Sequence, residues 1–314
     1  MCAVFGFLDY GKMVSAKTLK RLLQALSVAA ECRGRDATGM SYVKRGKIVT
    51  FKKAKPAHKV KLYFPRGTTA VIGHTRFTTQ GSEKHNYNNH PFEGKAGSHT
   101  FALAHNGVLY NDVKLRREKG LPETKIETDS YIAVQLLEQQ DAVDEESLRY
   151  MAEAVAGNFV FSILRDDNTL FLVKGDNPLT LWHLPSVGLL VYASTDEILQ
   201  KAVLASKIQS AIFPVPVNAD EIICIHPDGS MTRSAFTQQM SPLYFRPLVN
   251  WEPCAEEVAD YEEELHLLCQ CYNADEKEVR ALLEFGYGLD EIEELLADGY
   301  FPYALEDVRQ CYEF

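Results

Sequence analysis

The chain changes character near residue 240. Residues 241–314 carry nineteen acidic and four basic side chains, a balance of −15, whereas residues 1–240 carry 24 acidic and 29 basic ones, a balance of +5. A break of this kind marks a domain boundary, so the sequence predicts two domains, 2–240 and 241–314. The first reads as strands interleaved with helices. The second reads as acidic helices with apolar residues at helical spacing, stopped by glycines at 286, 288 and 299.

Within the first domain, apolar patterning predicts strands at 3–8, 40–43, 47–51, 70–73 and 101–105. Helices are expected from Ser15 through Val28, from Thr128 through Leu137 and over 146–155. Four short strands follow at 159–165, 170–174, 181–184 and 189–193. Another helix is capped by Thr195, and a last strand at 221–226 ends in the turn Pro227-Asp228-Gly229. Sheets with helices on their outer faces bury such a pattern, an α+β arrangement. In the second domain helices are expected at 255–273, 275–285, 289–298 and 305–312. Leu265, Leu268, Leu282, Leu283, Leu295 and Leu296 are expected as its core, and Tyr287, Tyr300, Phe301 and Tyr303 are candidates either for a contact patch or for packing onto the first domain's +5 surface.

Seven cysteines without a repeated spacing argue for reduced thiols rather than a disulfide framework. Cys269-x-Cys271 is one residue short of a zinc knuckle and has no second pair, so no metal site is expected. A basic, apolar leader and a run of about 18 apolar residues are both missing, which points to the cytoplasm and away from a membrane. The overall charge of −10 argues weakly against a nucleic-acid partner.

Chemistry starts at Cys2. Removal of Met1 gives that residue a free α-amine, whose pKa near ~8 suits it as base for the thiol on the same residue. An early Cys opening the run Cys2-Ala3-Val4-Phe5-Gly6-Phe7-Leu8 also reads simply as the start of a buried strand. Four further stretches decide between the two readings: Arg33-Gly34-Arg35-Asp36-Ala37-Thr38-Gly39, Gly73-His74-Thr75-Arg76-Phe77-Thr78-Thr79-Gln80-Gly81, His105-Asn106-Gly107 and Glu127-Thr128-Asp129-Ser130.

With Cys2 and the intervening Asn89-His90-Pro91-Phe92, these motifs resemble the glutaminase domain of class II glutamine amidotransferases. That family of N-terminal-nucleophile hydrolases includes glucosamine-6-phosphate synthase and amidophosphoribosyltransferase, and the resemblance covers roughly residues 2–235. It implies a four-layer αββα sandwich and hydrolysis of the glutamine side-chain amide through a γ-glutamyl thioester on Cys2. By the same resemblance Asn106 and the Gly107 backbone N–H form the oxyanion hole. Arg76, with Thr79 beside it, holds the substrate carboxylate, Asp129 holds its ammonium, and Arg33 lies near the nucleophile. No cofactor is implied.

Plainer readings stand beside these. Asn106-Gly107 is the strongest short signal for a type I′ hairpin turn. Arg76 reads as a salt bridge, Asp129 as a helix first-turn acid and Arg33 as an ion pair with Asp36. His74, His90 and His105 are read as structural, because an α-amine makes a histidine base unnecessary. Phe77 and Gln80 stand where the hexosamine-forming enzyme has a tryptophan and a histidine. The biosynthetic members continue into a large ammonia-consuming domain, whereas 74 acidic-rich residues follow here. The expectation is a stand-alone glutaminase that hands ammonia to a partner protein, with no oligomeric state implied. The alternatives are an amidase or γ-glutamyl hydrolase on another small amide, and a non-catalytic glutamine-sensing or scaffold protein.

Overall fold

The computed structural model describes residues 2–238, 265–285, 287–297, 299 and 301–312. It divides into two compact units, Met1–Phe245 and Arg246–Phe314. The boundary expected at 240/241 lies outside the described residues.

The first unit is built on two sheets. In chain order its strands are β1 (Ala3–Asp9), β2 (Ala37–Lys44), β3 (Lys47–Lys53), β4 (Ala70–Arg76), β5 (Phe92–Ala96), β6 (His99–Leu109) and β7 (Gly157–Arg165). They continue with β8 (Leu170–Lys174), β9 (Thr180–Leu184), β10 (Leu189–Ala193), β11 (Phe213–Val215), β12 (Glu221–Ile225) and β13 (Met231–Ala235). Among the described residues one sheet runs β11-β9-β10-β1-β4-β2-β3 and the other β13-β12-β8-β7-β6-β5. The pairings are antiparallel throughout.

Burial patterns give the layers. On β1, Phe5 and Phe7 face outward and pack with Leu22, Leu23 and Leu26 of α1 (Ala16–Ala29) and with Ile198 and Leu199, which lie on a second helix from Asp196 to Ser206. Val4 and Leu8 face the other way and meet Ala104, Val160 and Leu172 of the second sheet. The far face of that sheet presents Phe101, Leu103, Phe159 and Phe161 to Ile132 and Leu136 on the helix Tyr131–Gln140 and to Leu148 and Met151 on the helix Glu145–Ala154. The order is helix, sheet, sheet, helix, the four-layer sandwich. Full burial of a Val, Leu or Phe side chain contributes roughly 1.5–3 kcal/mol, so β1 is anchored by both faces as well as both edges.

Three local readings change. Asn106-Gly107 is not a turn: β6 runs straight through it, pairing Asn106 with Val160 and Gly107 with Phe159. The cross-strand ladder on β7 overrides the local turn preference. The helix expected from Thr128 begins at Tyr131, so Asp129 precedes it rather than sitting in its first turn. β5 and the short helix Asp112–Glu118 were not expected at all.

In the second unit residues 265–272, 276–285, 289–297 and 301–312 are helical. Leu265, Cys269, Val279, Leu282, Ile292, Phe301, Ala304 and Leu305 form its core, with Leu268, Leu283, Leu295 and Leu296 packed against it. Phe301 thus belongs to the core and not to a contact patch, while Tyr303 is exposed. Tyr300, and residues 255–264 of the helix expected there, lie outside the described residues. Among the described residues no helix is long and apolar enough to cross a membrane.

Candidate active site

Cys2 sits one residue ahead of β1, whose first residue Ala3 pairs with Thr75 of β4. That register lays Cys2 beside the end of β4, where the Phe77 amide donates to its Sγ at 3.4 Å and the thiol faces the Phe77 carbonyl at the same distance. Burial pushes the thiol pKa up, while the Phe77 amide and Arg76 pull it down. Arg33 Nε donates to the Cys2 carbonyl at 2.9 Å.

The segment after Arg33 is moulded onto the β4 end. A Cβ on Gly34 would stand 2.5 Å from the Arg76 carbonyl carbon, a contact only glycine avoids. Asp36 then accepts from the Thr78 amide at 2.7 Å, and its own N–H donates to the Arg76 carbonyl. Asp36 is therefore engaged in backbone hydrogen bonding that shapes the loop.

Arg76 is almost fully buried. Its guanidinium donates to Asn89 Oδ1 at 2.8 Å and to the carbonyls of Gln80 and Gly81 at 2.5 and 2.9 Å. It clasps the loop that follows β4 and still has donors beyond these three. Burial pushes its pKa down, opposed by the charges of Cys2, Glu83, Asp36 and Asp129. Thr79 is exposed on the same loop. Asn89 also binds the Glu83 carbonyl and Asn86, and Lys52 donates to the Asn89 carbonyl at 2.6 Å.

β5 leaves β6 after Leu103, so the edge of β6 from Ala104 onward has no neighbouring strand on that side among the described residues. Backbone groups on this edge bind side chains instead. The His105 carbonyl accepts from His74 at 2.9 Å, and the Leu109 N–H donates to Asp129 Oδ2 at 2.7 Å. Antiparallel alternation places the Gly107 N–H on the same edge, between these two. Gly107 has φ +150°, and a Cβ there would meet the Asn158 carbonyl oxygen at 1.9 Å.

The buried Asn106 side chain donates through Nδ2 to Ser194 Oγ at 3.4 Å, and the Asn106 backbone carbonyl accepts from Asn177 Nδ2 at 2.8 Å. Ser194 Oγ also accepts from the Val4 amide at 3.0 Å. One hydroxyl therefore ties Asn106 to the strand that begins just after Cys2. An amide NH₂ has two donors, so Nδ2 keeps one hydrogen for another acceptor. Asp129 is buried, and its N–H donates to Gln80 Oε1 at 3.0 Å.

Arg33, Arg76 and Asp129 act on Cys2 through a hydrogen bond or their charges, Ser194 ties Asn106 to β1, Gly107 follows Asn106 on β6, and Thr79 is exposed on the loop after Arg76. Reading the sequence missed Ser194, Asn177, Gln80, Asn89 and Ser130. The available signal was weak: polar residues where buried strands end, as in Tyr192-Ala193-Ser194-Thr195, and the pair Asn88-Asn89. His74, His90 and His105 stack behind the site, with His74 and His90 ring centres 4.2 Å apart. Burial holds all three neutral, His74 with a pKa pushed down to about 3.

Residues 74–201 match the profile of the glutamine amidotransferase domain family. Glutamine–fructose-6-phosphate aminotransferase (isomerizing) of Bacillus subtilis strain 168 is 30% identical over 187 residues, covering 57% of this chain and 30% of that protein. The protein of the same name from Staphylococcus aureus strain Mu50 is 32% identical over 195 residues, 58% of this chain and 30% of that protein. The match thus spans under a third of these relatives' length. The solved glutamine phosphoribosylpyrophosphate amidotransferase of B. subtilis superposes with a TM-score of 0.59 at 18% identity, over 76% of this chain and 50% of that one. The four-layer sandwich is accordingly the fold that this amidotransferase also has. Residues 74–201 are thus similar to a glutamine amidotransferase domain.

Proposed function

We propose that the first unit hydrolyses the side-chain amide of glutamine, with Cys2 as nucleophile. Removal of Met1 frees the α-amine that takes the thiol proton, because a thiol whose pKa burial has raised needs a base at neutral pH. The thiolate attacks the carboxamide carbon, and the second Nδ2 hydrogen of Asn106 and the Gly107 N–H stabilise the oxyanion. The tetrahedral adduct expels ammonia, protonated by the same amine, and leaves a γ-glutamyl thioester that water hydrolyses to glutamate. Arg76 and Thr79 hold the substrate carboxylate and Asp129 its ammonium, while Arg33 fixes the Cys2 carbonyl.

The observation that carries this reading is the Ser194 hydroxyl, which binds both the Val4 amide and Asn106 and so couples the nucleophile's strand to the oxyanion donor. Ammonia goes to an acceptor protein, and residues 241–314, an acidic stretch, are the part proposed to dock it; their charge of −15 favours a basic surface.

Two measurements test the proposal together. Intact mass reports whether Met1 is absent, and a coupled assay follows ammonia release with glutamine. The processed protein should release ammonia and Cys2→Ala should not, with the fold retained by circular dichroism. Turnover by Cys2→Ala equal to that of the parent overturns the mechanism. Equal turnover of amides lacking the α-carboxylate or α-amine instead favours a general amidase.

A further inference from the structure

Ser130 occupies the N-cap place of the helix Tyr131–Gln140 yet does not cap it. Its φ and ψ are −56° and −26°, and its side chain makes no bond to the helix's first N–H groups. A serine at this position ordinarily accepts from the N2 or N3 amide. The hydroxyl turns instead to Asp129, donating to Oδ1 at 3.2 Å, and lies 2.8 Å from His105 Nδ1.

A hydroxyl has one proton. If Ser130 gives it to Asp129, its contact with His105 requires the imidazole to be the donor, through Nδ1–H. His105 is buried and stacked on Phe161, ring centres 4.7 Å apart, which fixes its plane. Its Nε2 makes no well-formed hydrogen bond among the described residues, and the nearby Asn158 carbonyl favours the competing Nε2–H tautomer, so nitrogen-15 spectra decide the tautomer. Burial keeps the ring neutral, so it holds one proton.

We propose that His105 is a positioning residue acting through Ser130: the chain His105 Nδ1–H to Ser130 Oγ–H to Asp129 Oδ1 sets the rotation of the carboxylate that receives the substrate ammonium. The inference rests on the ammonium-binding role proposed for Asp129. The Leu109 amide anchors one oxygen of the carboxylate and Ser130 the other, and each oxygen keeps a further lone pair. The relay touches neither Cys2 nor Asn106, so it acts on binding rather than on bond breaking.

Ser130→Ala deletes the bridge without deleting a helix cap. KM for glutamine should rise about fivefold or more with kcat within about twofold, and Ser130→Thr should restore KM. His105→Asn, which places an N–H donor near Nδ1, should stay closer to wild type in KM than His105→Leu. Nitrogen-15 histidine spectra of the unmutated protein should show His105 as the Nδ1–H tautomer, whether or not the protein turns over glutamine. An Nε2–H tautomer, or an active Ser130→Ala with wild-type KM, overturns the relay. Absence of glutamine turnover in the unmutated, processed protein counts against the proposed activity instead, and the tautomer then decides the hydrogen-bond chain on its own.

Discussion

The two arms of the candidate site are built differently. Asn106 and Gly107 are strand residues, locked into β6 by register with β7 and by the Ser194 and Asn177 hydrogen bonds. Arg76 stands at the very end of β4 and spends its donors on the loop beyond it, while Asp129 lies ahead of a helix and is tied to that loop through Gln80. Donors aimed at a developing oxyanion act best when they need no rearrangement, which a two-sheet core supplies. Groups that admit and release a whole amino acid need a boundary that can open, which a loop supplies. The strand arm should therefore govern kcat and the loop arm KM.

The harshest way to break the comparison is acid. His74, His90 and His105 lie behind the strand arm and are neutral when folded. A base whose folded pKa is depressed contributes stability above its unfolded pKa, about 6.5, and that contribution is lost as pH falls toward the folded value, about 3 for His74. His74 alone corresponds to as much as about 5 kcal/mol across that window. Melting temperature should fall steeply between about pH 6.5 and 3. A flat profile there means that the cluster is not buried in solution as described.

Gly107→Ala comes next, because a Cβ 1.9 Å from the Asn158 oxygen forces β6 off β7. A stability loss of about 3 kcal/mol or more is expected in denaturant titration, and a folded, fully active variant removes the strand arm from the argument. Asn106→Ala should lower kcat by about 10²-fold with a smaller change in KM. A rise in KM alone makes Asn106 a binding residue and erases the contrast.

On the loop arm, Arg76→Lys should raise KM for glutamine about tenfold, since an ammonium reproduces neither the planar fork nor the three bonds to Asn89, Gln80 and Gly81. The mildest change is Gln80→Ala, which frees the Asp129 amide. It should raise KM a few-fold and leave kcat and melting temperature nearly unchanged. A drop in kcat instead shows that the two arms are coupled.

What the sequence revealed follows the same division. The apolar run after Cys2, the 47–51 strand and the helix after Ser15 were legible because their side-chain periods match their burial. The motifs around Arg76, Asn106 and Asp129 stood out as residue strings, and the roles given to them are proposals. The course of β6 through Asn106-Gly107 was not legible, because a local dipeptide preference carries no information about a partner strand some fifty residues away. Nor were Ser194, Ser130 and Gln80 readable. Their roles come from hydrogen bonds made across the fold by residues that in sequence look like ordinary caps and loop polar groups.

The position of β1 has a consequence for how the molecule comes to exist. Its seven residues are buried, and it is sandwiched between β4 and β10. The bond from the Val4 amide to Ser194 spans 190 residues. During synthesis this apolar strand must wait, with an open edge, until nearly the whole first unit has emerged, and such edges invite pairing with other chains. Closing so distant a contact also slows folding. Fragments that stop short of β10 should therefore aggregate, and slower production at low temperature should favour soluble protein.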